Sequence, residues 1–271
     1  MRWFGGGTFD AWWIPLTIPT ADVERALPRA LGLIPAQAGD TLTVLLTIGR
    51  QRDVRPDARA MEPVFGFPWR YSEAFFVVPD LVRAGDPRGA EAERLTYLSP
   101  LFLDHRRALV TGVWGYGFDK RRTAFEFGAT GCTLRGAGGA RSGASLLAVE
   151  VQRDDAPHGP AAGPGGATAA LRSAAEFPVV REIERMLAQD IVSRSPFGPA
   201  LRTRIAWGGA TARVAPAALR LTVHDAAAAP LAPVVAGTFD VPPLTGDRLG
   251  AARVERHWRI AYPTPLRSPR P

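Results

Sequence analysis

The chain has 271 residues, 46% of them hydrophobic, and a formal net charge of +7. That length suits one large domain or two small ones and can bury a sizeable core, and no run of about 18 apolar residues predicts a membrane span. Cys132 is the only cysteine, which excludes an internal disulfide and a cysteine-rich metal site.

At the N-terminus, MRWFGGGTFDAWWIPL lacks an apolar segment followed by a small-residue cleavage site. No signal peptide is read there, and a cytoplasmic protein is expected. Thr20 is placed to cap a short helix running to Leu27, with Asp22 favourable in its first turn and Pro28 preventing continuation. β-branched and aromatic content then predicts strands over 41–48, 73–78, 108–118, 123–127, 144–152 and 218–224. A second helix is predicted over 178–192, where Val179, Ile183, Met186, Leu187 and Ile191 form a stripe at helical spacing suited to core packing. Two stretches, the Gly-rich 136–143 and the Pro-, Gly- and Ala-rich 154–170, read as loops rather than domain boundaries. A last strand is predicted over 253–262. Val254, Trp258, Ile260 and Tyr262 share one face there, Arg253, Glu255, His257 and Arg259 share the other, and Arg256 interrupts the apolar face. A Pro-rich tail follows. Many strands and few helices predict a mainly β (α+β) fold, closed or sandwich-like, with helices packed on it, as one domain over residues 1–271.

The basic residues are scattered, with dense clusters only at Arg106-Arg107 and Lys120-Arg121-Arg122. Such scatter reads as a solvated surface, so no nucleic-acid partner is expected. Of the 33 Lys and Arg residues, only position 120 is lysine. Where charge alone is needed, arginine serves. Where a primary amine must attack a carbonyl it does not, because a guanidinium stays protonated. Lys120 is therefore a candidate for chemistry, although a single lysine left by chance is the plain alternative. Read as a strand, 108–118 extends towards the lysine, and Trp114, Tyr116, Phe118 and Lys120 would share one face. Aromatic neighbours and the cations Arg121 and Arg122 would then disfavour the charged amine, and only the neutral form attacks a ketone. Ordinary core packing for the aromatics and a solvated strand end for the two arginines remain open. His105, His158, His224 and His257 show no metal spacing, and Ser142 lacks a nucleophile-elbow pattern.

The run Gly112-Val113-Trp114-Gly115-Tyr116-Gly117-Phe118-Asp119-Lys120-Arg121 resembles the active-site motif of acetoacetate decarboxylases, with Gly112 as its first glycine, Phe118 as its aromatic position, Lys120 as its Schiff-base lysine and Arg121 as its second cation. Tyr71-Ser72-Glu73 is similar to that family's Tyr-x-Glu element, and Arg220–Asp225 followed by Pro230-Leu231 to a late strand and its turn. Val113-Trp114 stands where the family has Arg-Glu, Asp119 where it has proline, and no arginine lies near Phe9-Asp10. The resemblance implies an acetoacetate decarboxylase-like β-barrel and a homo-oligomer without a cofactor or metal. Its implied function is a Schiff-base lyase for a small β-keto or oxo acid. It assigns catalysis to Lys120, Glu73 and Arg121. Tyr71, Trp114, Tyr116 and Phe118 would line the substrate pocket, with Arg70 and Arg122 as candidates to hold a carboxylate. Two other readings stay open: an oxo-acid aldolase or dehydratase of the same superfamily, and a non-catalytic barrel that binds a small molecule.

Overall fold

A computed structural model describes residues 2–37, 39–57, 66–86, 92–98, 100–136, 143–152, 171–194, 200–208, 212–224 and 237–266. Most of each predicted loop, 137–142 and 153–170, lies outside these residues, as do Ser142, His158 and the Pro230-Leu231 turn.

The described chain is mainly β. Its first half carries β1 (Trp3–Pro19), β2 (Leu33–Pro35), β3 (Thr41–Pro56), β4 (Trp69–Arg83), β5 (Leu95–Leu98), β6 (Leu101–Leu103), β7 (Lys120–Phe127), β8 (Gly131–Gly136) and β9 (Ser145–Val151). The second half carries β10 (Arg172–Ser173), β11 (Asp190–Arg194), β12 (Ala200–Thr203), β13 (Ile205–Trp207), β14 (Arg213–Pro216), β15 (Leu219–Val223), β16 (Gly237–Val241), β17 (Ala252–Ala261) and β18 (Thr264–Pro265). Three α-helices accompany them: α1 (Thr20–Ala26), α2 (Arg106–Tyr116) and α3 (Val180–Leu187). The long strands β17, β1, β3 and β4 run antiparallel side by side and form the platform of the fold. From β4 the sheet passes through β6 to β7 and on to β8, β9, β15 and β16. The expected mainly β architecture with a few helices holds, while the pairings among the described residues do not close into a ring.

The 17-residue β1 escapes the sequence reading. Its start is Gly-rich because partner backbones crowd it: a Cβ on Gly5 would lie 2.2 Å from the Arg55 carbonyl oxygen, and one on Gly6 2.2 Å from that of Trp258. Thr20 opens α1 as expected but makes no cap; its hydroxyl instead donates to the Gly39 carbonyl. The predicted 178–192 helix ends at Leu187, and Ile191 belongs to β11, paired in parallel with β5. Nothing in Ala188-Gln189-Asp190 forces that ending locally. Tertiary bonds do: Gln189 accepts from the Asp80 amide at 2.9 Å and from the Thr96 hydroxyl at 3.1 Å.

The largest correction concerns 108–118, predicted as a strand and found to be α2 and the turn after it. Its β-branched and aromatic residues are helical because both ends are fixed. The His105 ring accepts from the Ala108 amide at 3.1 Å. Burial pushes the pKa of that ring down, which favours the neutral form able to accept. At the other end Gly117 is left-handed, at φ 67° and ψ 20°, and its amide bonds back to the helix. The buried residues Ala108, Gly112 and Tyr116 are spaced by four, one per turn on a single face.

Candidate active site

Side chains from four strands meet in series behind α2. Lys120 opens β7, with Leu101 of β6 as its parallel partner. Its Nζ donates to Glu73 Oε1 at 3.0 Å, and the two side chains are only 8% and 6% exposed. Period-two alternation in β4 sends Glu73 to the same face as Tyr71 and Trp69. The other carboxylate oxygen accepts from Gln51 Nε2 of β3 at 3.1 Å. Gln51 Oε1 in turn accepts the indole N–H of Trp258, from β17, at 2.7 Å. An indole nitrogen only donates, so Trp258 fixes which end of the Gln51 amide faces the carboxylate. Glu73 is therefore held through both oxygens.

The stem of Lys120 rests against α2. A Cβ on Gly112 would lie 2.1 Å from Lys120 Cε and 2.4 Å from Cδ, so glycine at this helix position leaves the room the lysine occupies. Lys120 also lines a cavity with Tyr71, Tyr116, Phe118, Trp69 and Trp258. Its walls are aromatic pairs: Phe67 stacks on Trp69 at 4.2 Å, and Tyr116 on Phe118 at 5.6 Å. Burial, then the charges of Glu73 and Asp104, pushes the Tyr71 phenol well above its usual pKa. Burial also raises that of Tyr116, whose hydroxyl has no hydrogen-bond partner among the described residues. Both phenols thus stay protonated and able to donate.

The structure puts Lys120, Tyr71, Tyr116 and Phe118 on the cavity lining and Glu73 outside it, in contact with Lys120 Nζ, and it leaves the other predicted site residues outside the lining. Trp114 is 63% exposed, because α2 turns it to the opposite side from Gly112 and Tyr116. Alternation places Arg70 on the face of β4 opposite Tyr71, and it stands 3.9 Å from Asp53 with its side chain 76% exposed. Arg121 alternates away from Lys120 and forms a two-point pair with Asp119. Arg122 is exposed. The charged group touching Nζ is therefore Glu73, not the neighbouring cations.

Sequence reasoning missed Gln51, Trp258 and Arg55. Gln51 and Trp258 belong to no motif, and their only signal is that each falls on an inward strand face. Arg55, an exposed residue on β3, is the one arginine in the cavity lining among the described residues. Among these residues, no group of three or more His, Cys, Asp or Glu is placed to hold a metal ion, and no helix is long and apolar enough to cross a membrane.

No protein-family model and no curated protein matches the sequence. Solved structures do match the fold. The enduracididine biosynthesis enzyme MppR, complexed with the condensation product of pyruvate and imidazole 4-carboxaldehyde, is similar at TM-score 0.58 and 10% identity, over 97% of this chain and 89% of that one. Acetoacetate decarboxylase from Legionella pneumophila matches at TM-score 0.57 and 12% identity, over 98% and 86%. An acetoacetate decarboxylase-like enzyme from Sphingomonas wittichii RW1 matches at TM-score 0.54 and 13% identity, over 98% and 94%. The chain has the acetoacetate decarboxylase-like fold, and these structural neighbours are enzymes.

Proposed function

We propose, from that fold and from the buried Lys120–Glu73 pair, that the protein is a Schiff-base-forming lyase acting on a small β-keto or oxo acid. The carrying observation is a lone lysine whose amine borders an apolar cavity and touches one carboxylate at 3.0 Å. Glu73 accepts a proton from Nζ, and the free amine lone pair attacks the substrate ketone carbon. The resulting carbinolamine loses its oxygen as water and leaves a protonated imine. In a β-keto acid the bond to the carboxylate carbon then breaks. Carbon dioxide departs, the electron pair flows into the imine to give an enamine, and a proton returns to carbon. Water hydrolyses the imine, releasing the ketone and the amine. Arg55 is the cation assigned to the substrate carboxylate. Tuning of the lysine by Arg121 drops out of this reading, because its guanidinium is committed to Asp119. By the same resemblance, residues 1–271 act as one domain of a homo-oligomeric enzyme.

The test is reductive trapping. With cyanoborohydride, mass spectrometry should find at Lys120 the mass of pyruvate less one oxygen, or with acetoacetate the mass of the acid less one oxygen and, once the imine has decarboxylated, less carbon dioxide as well; Lys120→Met should remain unlabelled. An unmodified lysine with every β-keto and 2-oxo acid sinks the reading. A second reading, an oxo-acid aldolase or dehydratase using the same imine, is favoured by the condensation product bound to MppR. Carbon dioxide release separates the two.

A further inference from the structure

One wall of the Lys120 cavity is α2. Ala108, Thr111, Gly112 and Tyr116 of this helix line it, and Gly112 lies against the lysine stem, where a Cβ would stand 2.1 Å from Cε. The sequence of α2 argues against a helix. Val110, Thr111 and Val113 favour strands, and Gly112 and Gly115 weaken a helix through backbone entropy. Its first turn holds Arg106 and Arg107 and no acidic residue, so the partial positive charge of the helix N-terminus is opposed rather than met.

The side-chain acceptor at that end is the His105 ring, whose Nδ1 accepts from the Ala108 amide at 3.1 Å. An imidazole accepts at Nδ1 only when neutral, with its proton on Nε2. Once protonated, both nitrogens donate and the bond is lost. The charged ring also adds a third cation beside Arg106 and Arg107. The same ring packs on Trp69 at 5.1 Å and on Tyr71 at 5.7 Å, both of β4 and both on the cavity lining.

The groups that set the charge of His105 come from its own segment and from β4. Burial disfavours the cation most, Asp104 favours it, and Arg107 disfavours it. The Asp104 carboxylate itself accepts from the Ser72 amide at 2.9 Å. From β4 the facing titratable group is the Tyr71 phenol, which stays protonated, and Glu73 further along that face is committed to Lys120 and Gln51. The folded ring is therefore harder to protonate than a free one. The cap is complete above the usual imidazole pKa and is lost as pH falls through the lower folded value.

We infer that His105 is a positioning residue for Lys120: its neutral ring fastens the first turn of α2 against the cavity, and protonation releases that turn and the wall that holds the lysine in place. The fastening rests on the helix cap alone; its consequence for the lysine rests on the Schiff-base reading.

Two measurements on the full chain, each made between pH 8 and pH 4.5, keep these apart. The first is amide hydrogen exchange, corrected for the intrinsic effect of pH. Relative to β3 and β17, residues 106–116 should be several-fold less protected at the acid end in the parent. His105→Asn and His105→Ser supply a cap that does not titrate, and in both the relative protection should stay constant. The second is the rate of Lys120 labelling by pyruvate and cyanoborohydride in the parent, divided by that in His105→Asn, so that the pH dependence common to both cancels. This ratio should fall several-fold from pH 8 to pH 4.5. Acid sensitivity of 106–116 that is equal in the parent and both variants, or absent from all three, overturns the inference. So does a helix that loosens in the parent with a constant labelling ratio, because α2 would then move without the lysine. Absence of labelling in every protein sinks the Schiff-base reading, and the cap then stands or falls on the exchange pattern.

Discussion

Lys120 and Arg256 both carry a cation into the interior, one at the start of β7 and the other in the middle of β17, two residues from Trp258. Their surroundings differ. Lys120 meets a carboxylate at 3.0 Å, and that carboxylate is held by Gln51, itself held by Trp258. Arg256 is 2% exposed, reaches only Glu184 at 3.4 Å, and has Nε and Nη1 without partners among the described residues. The faces of Trp13 and Trp207 flank its guanidinium, each at 5.2 Å. A buried charge with a chain of aimed hydrogen bonds is positioned to react. A buried charge between two indole rings is packed, and nothing about it borders the cavity. Substitutions at the two places should therefore differ in size and in sign.

The largest effect is expected at Glu73. Glu73→Leu leaves the Lys120 ammonium buried without its counter-charge, which should lower unfolding free energy by about 3–5 kcal/mol. Adding Lys120→Met should recover much of that loss, because an apolar pair replaces an ion pair. Urea denaturation of the single and double variants reads both; a Glu73→Leu protein as stable as the parent would break the contrast between the two cations.

Next is Gln51→Leu. It strips one bond from the carboxylate and orphans the Trp258 N–H, a loss of about 1–3 kcal/mol. Labelling of Lys120 should also slow, since Glu73 is then held through one oxygen fewer. A stability loss with an unchanged labelling rate would make Gln51 a packing residue and nothing more.

Gly112→Ala sharpens the comparison from the helix side. The new Cβ would sit 2.1 Å from Lys120 Cε, and the atoms it displaces are the far end of a flexible side chain. The lysine moves and the fold does not. The melting temperature should stay close to that of the parent while Lys120 labelling slows about tenfold, or about 1.4 kcal/mol in the barrier. An unchanged labelling rate would mean that the lysine need not occupy this position to react.

How much of this was legible beforehand depends on whether the signal was local. The alternation of β17 was plain in Val254, Trp258 and Ile260, and so was the anomaly of Arg256, because period two is written in consecutive residues. Lys120 stood out by being the only lysine, and Glu73 by the Tyr-x-Glu resemblance. The fold of 108–118 was not legible from composition. Val110, Thr111, Val113, Trp114 and Tyr116 carry strand propensity, and tertiary context overrode it through the His105 cap, the Gly117 turn and the Ala108–Gly112–Tyr116 face. That misreading still brought Tyr116 and Phe118 into the predicted pocket beside Lys120. It put Trp114 there as well, since a strand and a helix sort the same residues onto different faces. Gln51 was out of reach, because its role depends on which strands become neighbours.

The smallest effect is expected at Arg256. Burial pulls its guanidinium from its usual, higher value down to about 10, with Glu184 opposing the shift. Since the folded pKa is the lower one, the charged form is the disfavoured one in the fold. Its penalty, about 3 kcal/mol, is fully present below pH 10 and is relieved only as pH rises through 10 and beyond. Against it stand two cation–π contacts, each worth roughly 0.5–2 kcal/mol. The opposing contributions nearly cancel, so Arg256→Met should be neutral or slightly stabilising, with Lys120 labelling intact. The difference from the parent should also be the same at pH 6 and pH 9, because the guanidinium is charged throughout that interval. Urea denaturation at the two pH values checks this. A large loss of stability would show that Arg256, like Lys120, has its charge met by aimed partners and not merely by packed rings.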